Sequence, residues 1–315
     1  AFSVAGGDSA AALAAGCPVI LKAHSGHPEL SIATAKVVAD ALSEAGMPEG
    51  VFQLISGQPA GTALLKDPRV AAGSFTGSIY AGRLLADIAA ARPVPIPFFG
   101  ELGSVNPVVV TEAAIRERGD EIVSGYVTSV AGSAGQLCTK PGFVFVPQGH
   151  GLDEALAAAA EPVGEHRLLN PRIAQSYQER RDAVASSAGM RTIAEGGIRF
   201  DDDGQGWARP SLYAASLADV RAAGETVLEE SFGPLSVLVE YAPGDDVPAV
   251  LTEFFEGNLT ITLHLGSDET GAAEQALTHT AMTRAGRVLF GGWPTGVAVT
   301  PAMQHGGPWP ATTND

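Results

Sequence analysis

Short apolar runs set apart by helix-length stretches constrain this chain more than any other feature. Residues 18–21, 51–55 and 70–75 read as strands, with helices over 8–16, 30–45 and 61–66 around them. Gly16 and Gly46-Met47-Pro48 stand where helices stop, and Thr76-Gly77-Ser78 opens a further helix to about residue 91. An extended segment over 94–99 carries Glu101 at its end. The alternation continues with strands at 107–110, 142–146, 235–241, 259–265 and 287–290. Helices are expected at 122–130, 152–160, 173–185, 247–255 and 271–282, and Asp201-Asp202-Asp203-Gly204 reads as a turn. Strands that alternate with helices of this length need crossover connections, so the expectation is an α/β fold of βαβ units on a mainly parallel sheet. No fixed-period repeat or heptad pattern interrupts it. The motifs change character near residues 103–107, which marks a domain boundary there.

Composition narrows the function classes. A chain of 315 residues with 45% apolar content can bury a sizeable core, and its length suggests about two domains. The formal charge of −16 argues against nucleic acid or an anionic membrane surface as the main partner, since both need a basic footprint. No stretch approaches the roughly 20 apolar residues of a membrane span. The first residues carry no basic lead and no hydrophobic signal core. Two cysteines make no disulfide framework, so a reducing cytoplasm is expected. The chain starts at Ala1 without a methionine and stops at Asp315 with no closing element, which reads as part of a longer protein.

Several residues suggest chemistry. Cys138 lies in Gly135-Gln136-Leu137-Cys138-Thr139-Lys140, a polar segment rather than an apolar face. A thiolate there is a good nucleophile toward a carbonyl carbon. The alternative is a small buried hydrophobe, the usual role of an isolated cysteine. Cys17, just before an apolar run, is expected to be inert core. Glu101, in Phe99-Gly100-Glu101-Leu102-Gly103, has glycines close on both sides, which suits a mobile general base; the alternative is an ordinary exposed glutamate. Gly77-Ser78-Ile79-Tyr80-Ala81-Gly82 enters a helix after a strand, a context that favours phosphate, or a plain glycine-rich cap. It is neither a P-loop nor the Gly-x-Gly-x-x-Gly fingerprint. Lys22 ends a strand and could reach a ribose or phosphate, or simply be solvated. His24 and His27 with Cys17 lack a convincing fourth metal ligand, so no metal is expected. Serine-hydrolase and zincin motifs are absent.

In order, Lys22, Gly77-Ser78-x-x-x-Gly82, Glu101-Leu102-Gly103, Gly135-Gln136-x-Cys138 and Glu229-Glu230-Ser231-Phe232-Gly233-Pro234 resemble the aldehyde dehydrogenase superfamily. The resemblance covers essentially the whole chain. Phe2-Ser3-Val4-Ala5-Gly6-Gly7-Asp8, Lys22-Ala23-His24, Gln136-Leu137-Cys138-Thr139-Lys140-Pro141-Gly142 and His305-Gly306-Gly307-Pro308 are similar to one branch. That branch contains α-ketoglutarate semialdehyde (2,5-dioxopentanoate) dehydrogenases and an NADP-dependent fatty aldehyde dehydrogenase.

The resemblance implies a partial Rossmann-type cofactor domain over residues 1–103 and an α/β catalytic domain over 104–315. The oligomerisation arm and C-terminal tail would lie outside the chain. It implies oxidation of an aldehyde through a Cys138 thiohemiacetal and thioester, with 2,5-dioxopentanoate as substrate, and with the Cys138 amide as one oxyanion donor. Glu101 would activate the hydrolytic water. Lys22 would meet the adenosine ribose or its 2′-phosphate, Gly77, Ser78 and Gly82 the pyrophosphate, Glu230 the nicotinamide ribose, with Phe232 packing nearby. Gln136 matches a motif position without assigned chemistry. Ser25 stands where NAD-preferring members often carry a glutamate, which favours NADP and leaves NAD open. The family's second oxyanion donor, an asparagine, would lie before Ala1. The full-length protein is expected to be a cytoplasmic homo-oligomer. Two rivals stay open: a long-chain fatty aldehyde dehydrogenase, and an inactive fragment or pseudoenzyme that binds nucleotide or a partner.

Overall fold

A computed structural model of the protein describes residues 4–300 and 302–314. Phe2 and Ser3 of the N-terminal motif lie outside the described residues. The chain divides into two compact units. The first runs to Gly73 and includes Arg83–Phe98; the second comprises Ser74–Gly82 and the chain from Phe99 onward.

The elements up to residue 101 are α1 (Ser9–Ala14), β1 (Val19–Lys22), α2 (Pro28–Glu44), β2 (Phe52–Ile55), α3 (Gln58–Lys66), β3 (Gly73–Thr76), α4 (Ile79–Ala90) and β4 (Phe98–Glu101). In the first unit β1 and β2 pair in parallel, from Val19 opposite Phe52 to Lys22 opposite Ile55, and α2 is their crossover. Pro28 supplies the fixed φ of a first helical turn, and Glu29 complements the dipole there. The strand expected from residue 70 begins only at Gly73, and the one expected from 94 only at Phe98, because Pro95 and Pro97 have no N–H to give a ladder. Cys17 is exposed, a correction to its expected place in the core: it lies in the turn before β1, outside the ladder.

The second unit holds β5 (Val108–Val110), α5 (Glu112–Ala131), β6 (Phe143–Pro147), α6 (Asp153–Ala160), β7 (His166–Arg167), α7 (Pro171–Ala185), β8 (Arg191–Ala194), β9 (Gly197–Phe200), β10 (Gly206–Arg209) and β11 (Ser211–Ser216). It ends with α8 (Leu217–Ala223), α9 (Glu225–Leu228), β12 (Leu235–Tyr241), α10 (Val247–Phe254), β13 (Asn258–His264), α11 (Ala272–Arg284) and β14 (Ala285–Phe290). Seven strands form its main sheet in the order β14-β13-β5-β6-β12-β11-β8. All neighbours are parallel except β8, which runs antiparallel to β11 at the edge. Helices cover both faces, so β5 and β6 read as unbroken apolar runs rather than alternating ones. Val108, Val110, Val144 and Val146 pack beneath Ile122, Tyr126 and Val130 of α5. Val109, Phe143 and Phe145 face Tyr177, Leu251 and Ala281 on the other side. Cys138 lies in the segment that enters β6 and Glu230 in the segment that enters β12, so both stand at the N-terminal ends of neighbouring parallel strands.

Two differences from expectation have local causes. Helix α5 begins at Glu112, ten residues before the expected start, because Thr111 Oγ1 accepts from the Ala114 N–H and Arg116 pairs with Glu112. A charged first half hid it from an apolar-periodicity reading. The segment between α7 and β12 holds four short strands and two short helices where only a turn was expected. β7, β10 and β9 make a separate antiparallel ribbon, whose residues are too polar and whose strands are too short to signal themselves.

Candidate active site

Glu101 ends β4, and its backbone is tied on two sides. The Gly77 N–H donates to Glu101 O at 3.0 Å. On the other side the Leu102 N–H donates to Ala311 O at 2.8 Å, the Thr313 N–H to Gly100 O at 3.0 Å, and the Gly100 N–H to Thr313 Oγ1 at 2.7 Å. Residues 311–313 therefore lie as a short antiparallel partner along the glutamate, a closing element that the sequence did not reveal. Gly82 lets α4 approach this segment: a Cβ there would stand 2.0 Å from Leu102 Cδ2.

Cys138 follows the end of α5. Ser133, Ala134 and Gly135 take φ values of 51°, 55° and 65°, three successive left-handed residues that cost strain at the two non-glycine positions. This turn swings the chain out of the helix and leaves Cys138 exposed. Gln136 anchors it, its Oε1 accepting from the Leu169 N–H at 2.7 Å. A Cβ on Gly135 would lie 2.2 Å from Gly233 O, so the Cys138 loop and the Glu229–Pro234 segment are in direct backbone contact. Burial of the sulfur is the largest cause that raises the thiol above its ordinary range, with the Glu101 charge next and Glu230 further down. The backbone N–H groups of Cys138 and Thr139 work the other way. The residue as a whole is exposed while its sulfur is sunk among neighbours, which reconciles surface access with this shift.

Two residues to which the sequence reading gave no role hold the loop. Lys140 is only 4% exposed and donates from Nζ to Ser231 O at 2.9 Å and to Leu235 O at 2.7 Å. Asn106, fully buried, donates from Nδ2 to Cys138 O at 2.7 Å and to Lys140 O at 3.0 Å. Lys140 stands in a branch motif without a role, and Asn106 lies far from Cys138 in the chain.

Glu230 turns inward in this structure. Its Oε2 would be 2.5 Å from a Cβ at Gly103, and it accepts from the Ser104 N–H. Burial pushes its carboxyl up, and the Lys140 ammonium partly offsets that; burial pushes Lys140 down. Phe232 beside it is 39% exposed. Ser78 Oγ accepts from the Ala81 N–H at 3.3 Å as a helix cap, and Gly77 and Ser78 are exposed. In the first unit the stem of Lys22 packs over Gly61, where a Cβ would be 3.1 Å from Lys22 Cδ, and Ser25 is exposed after β1. Among the described residues no group of three or more His, Cys, Asp or Glu side chains is placed to hold a metal ion, and no helix is long and apolar enough to cross a membrane.

Residues 1–251 match the aldehyde dehydrogenase family. The chain belongs to that family. This agrees with the ordered motifs of the sequence. The chain is 43% identical to alpha-ketoglutaric semialdehyde dehydrogenase 2 of Azospirillum brasilense, over the whole of this chain and 60% of that protein. It is 39% identical to alpha-ketoglutaric semialdehyde dehydrogenase of Acinetobacter baylyi, over the whole chain and 59% of that protein. The chain thus spans about 60% of the length of these curated relatives. Among solved structures, glyceraldehyde-3-phosphate dehydrogenase from Methanocaldococcus jannaschii, complexed with NADP, superposes with a TM-score of 0.78 at 20% identity, over 96% of this chain and 63% of that one. Bradyrhizobium japonicum proline utilization A gives a TM-score of 0.81 at 24% identity, over 98% of this chain and 31% of that one. These structures establish the aldehyde dehydrogenase-like α/β fold.

Proposed function

We propose that this chain carries the reaction centre of an NADP-linked aldehyde dehydrogenase that converts 2,5-dioxopentanoate to 2-oxoglutarate. The observation that carries the reading is the pairing of an exposed Cys138, on a strained loop, with the Glu101 carboxylate whose charge reaches its thiol. Likeness to alpha-ketoglutaric semialdehyde dehydrogenases supports the substrate.

Cys138 Sγ would attack the aldehyde carbon and form the C–S bond of a thiohemiacetal. The Cys138 N–H would be one donor to the oxygen that takes up negative charge. After oxidation to the thioester, Glu101 would take a proton from water as its oxygen bonds to the carbonyl carbon. The C–S bond would then break, releasing the acid and restoring the thiol. Nicotinamide, when bound, supplies the two-electron acceptor. The chain's residues fit such a dinucleotide: the Phe232 ring is an exposed apolar face, and Gly77-Ser78 lie exposed at the start of α4. Lys22 and Ser25 would take the adenosine ribose with its 2′-phosphate, and the absence of a carboxylate at Ser25 favours that phosphate. Gly77, Ser78 and Gly82 would follow the pyrophosphate. Glu230 would meet the nicotinamide ribose once its carboxylate turns outward. In this reading residues 1–103 serve the cofactor and 104–315 the chemistry, within a cytoplasmic homo-oligomer of the full-length protein.

The test is an assay of this chain and of the full-length protein with 2,5-dioxopentanoate and with dodecanal, each with NADP and NAD, by absorbance of the reduced nicotinamide. Cys138→Ala should abolish turnover. Glu101→Gln should keep a burst of reduced cofactor and slow the steady state. Substantial turnover by Cys138→Ala would sink the mechanism, and a preference for dodecanal would move the substrate to long-chain aldehydes.

A further inference from the structure

We infer that Asn106 is a positioning residue for the nucleophile: it clamps the Cys138 carbonyl so that the Cys138–Thr139 peptide turns its N–H toward the Cys138 sulfur. This rests on Cys138 being the nucleophile.

The loop needs an external holder. It leaves α5 through three left-handed residues, and its own backbone bonds are only short turns, from the Gln136 N–H to Ser133 O and from the Lys140 N–H to Leu137 O, neither of which uses the Cys138 carbonyl. Asn106 is suited to hold it. The residue lies just before β5 at a φ of 47°, a region that asparagine enters more readily than most side chains. Each end of its amide is used. Oδ1 accepts from the Thr260 N–H at 3.2 Å, from Thr260 Oγ1 at 3.1 Å and from Ser104 Oγ at 2.8 Å. Nδ2 donates to Cys138 O and Lys140 O, with a longer 3.5 Å approach to Ser104 O. The Thr260 N–H can only donate and the carbonyls can only accept, so the amide has one orientation. It is fixed from behind by β13 and grips the loop in front.

The consequence follows from peptide geometry. In a trans peptide the C=O and the next N–H point in opposite directions in one plane. Pinning the Cys138 oxygen therefore sets the direction of the Thr139 N–H. That N–H is one of the groups favouring the Cys138 thiolate against burial and the nearby carboxylates. Thr139 is itself buried, so water does not stand in for its amide. Loss of the clamp frees the peptide plane to rotate and removes an N–H from the sulfur.

The experiment reads the thiol itself. Iodoacetamide alkylation of Cys138 is followed against pH by peptide mass, so that the exposed Cys17 is scored separately. Asn106→Gly keeps the left-handed backbone accessible and deletes the amide. Its midpoint for Cys138 should rise by about one pH unit, with that of Cys17 unchanged. Thr260→Val, which removes one of the donors that orient the amide, should give a smaller rise. A folded Asn106→Gly protein with the wild-type midpoint overturns the inference. If Asn106→Gly shows no cooperative melt, a folded Thr260→Val protein with the wild-type midpoint does so. A shifted midpoint in a chain without aldehyde turnover counts against the functional reading alone.

Discussion

Gly135→Ala puts a methyl group where the backbone leaves no room. The Cβ would lie 2.2 Å from Gly233 O, 2.3 Å from the Gly233 carbonyl carbon and 2.5 Å from Pro234 N. All three are main-chain atoms, so none can swing aside as a side-chain tip would. The left-handed φ of 65° adds about 1–2 kcal/mol once a Cβ is present. Overpacking against a fixed neighbour adds about 1–3 kcal/mol. Together they predict a loss of about 2–5 kcal/mol from the second unit if the loop keeps its place. If the loop moves instead, the loss shrinks but Cys138 moves with it. Urea unfolding and the rate of Cys138 alkylation must therefore be read on the same protein. Gly149→Ala is the control, since Gly149 has φ 74° and nothing within 4 Å of its Cβ position. It should cost only the backbone part, about 1–2 kcal/mol. A Gly135→Ala protein no less stable than Gly149→Ala, with Cys138 alkylated at the wild-type rate, would refute the packing argument.

Two further outcomes follow from the second unit. Burial, and secondarily the Arg118 charge, hold His264 down to about 4, so between that value and its ordinary 6.5 the unfolded chain binds more protons than the folded one. Stability should thus fall as pH drops through this window, by about 3 kcal/mol at most. His264→Gln should flatten that part of the denaturant-derived pH profile, and parallel wild-type and variant profiles would contradict it. Gly82→Ala brings a Cβ to 2.0 Å from Leu102 Cδ2 and should cost about 1–3 kcal/mol. Because the clash is with a side-chain tip, adding Leu102→Ala should recover part of that loss; strictly additive losses in the double variant would rule out the contact.

The strands that were legible are those written as compact apolar runs. Val108-Val109-Val110 and Phe143–Pro147 sit under helices on either side, and their apolar runs reflect that. β8 was not legible, because Arg191–Ala194 is held by pairing with β11 rather than by apolar character, and β11, though buried on both faces, is written with serines and alanines instead of a long apolar run. Half of α5 was hidden for a related reason: a threonine cap and a surface ion pair start it, and neither produces periodicity. Cys17 shows the opposite error. An adjacent apolar run suggested core, but the thiol lies in the turn outside it.

By itself the sequence determined the α/β class and the order of the candidate residues, while Cys138 and Glu101 were singled out as a pair by the resemblance of the ordered motifs. The class depends on local choices: periodicity, turn residues, and glycines that let a backbone come close. Tertiary structure alone decided how the pair is held. Asn106 and residues 311–313 reach the site from remote parts of the chain, and Lys140 ties the Cys138 loop to the distant Ser231 and Leu235 carbonyls. The inward seat of Glu230 likewise depends on the missing side chain of Gly103. The physical reason is that a hydrogen bond or close approach between distant segments leaves no period in either one, and exists only once the sheet has set both in place.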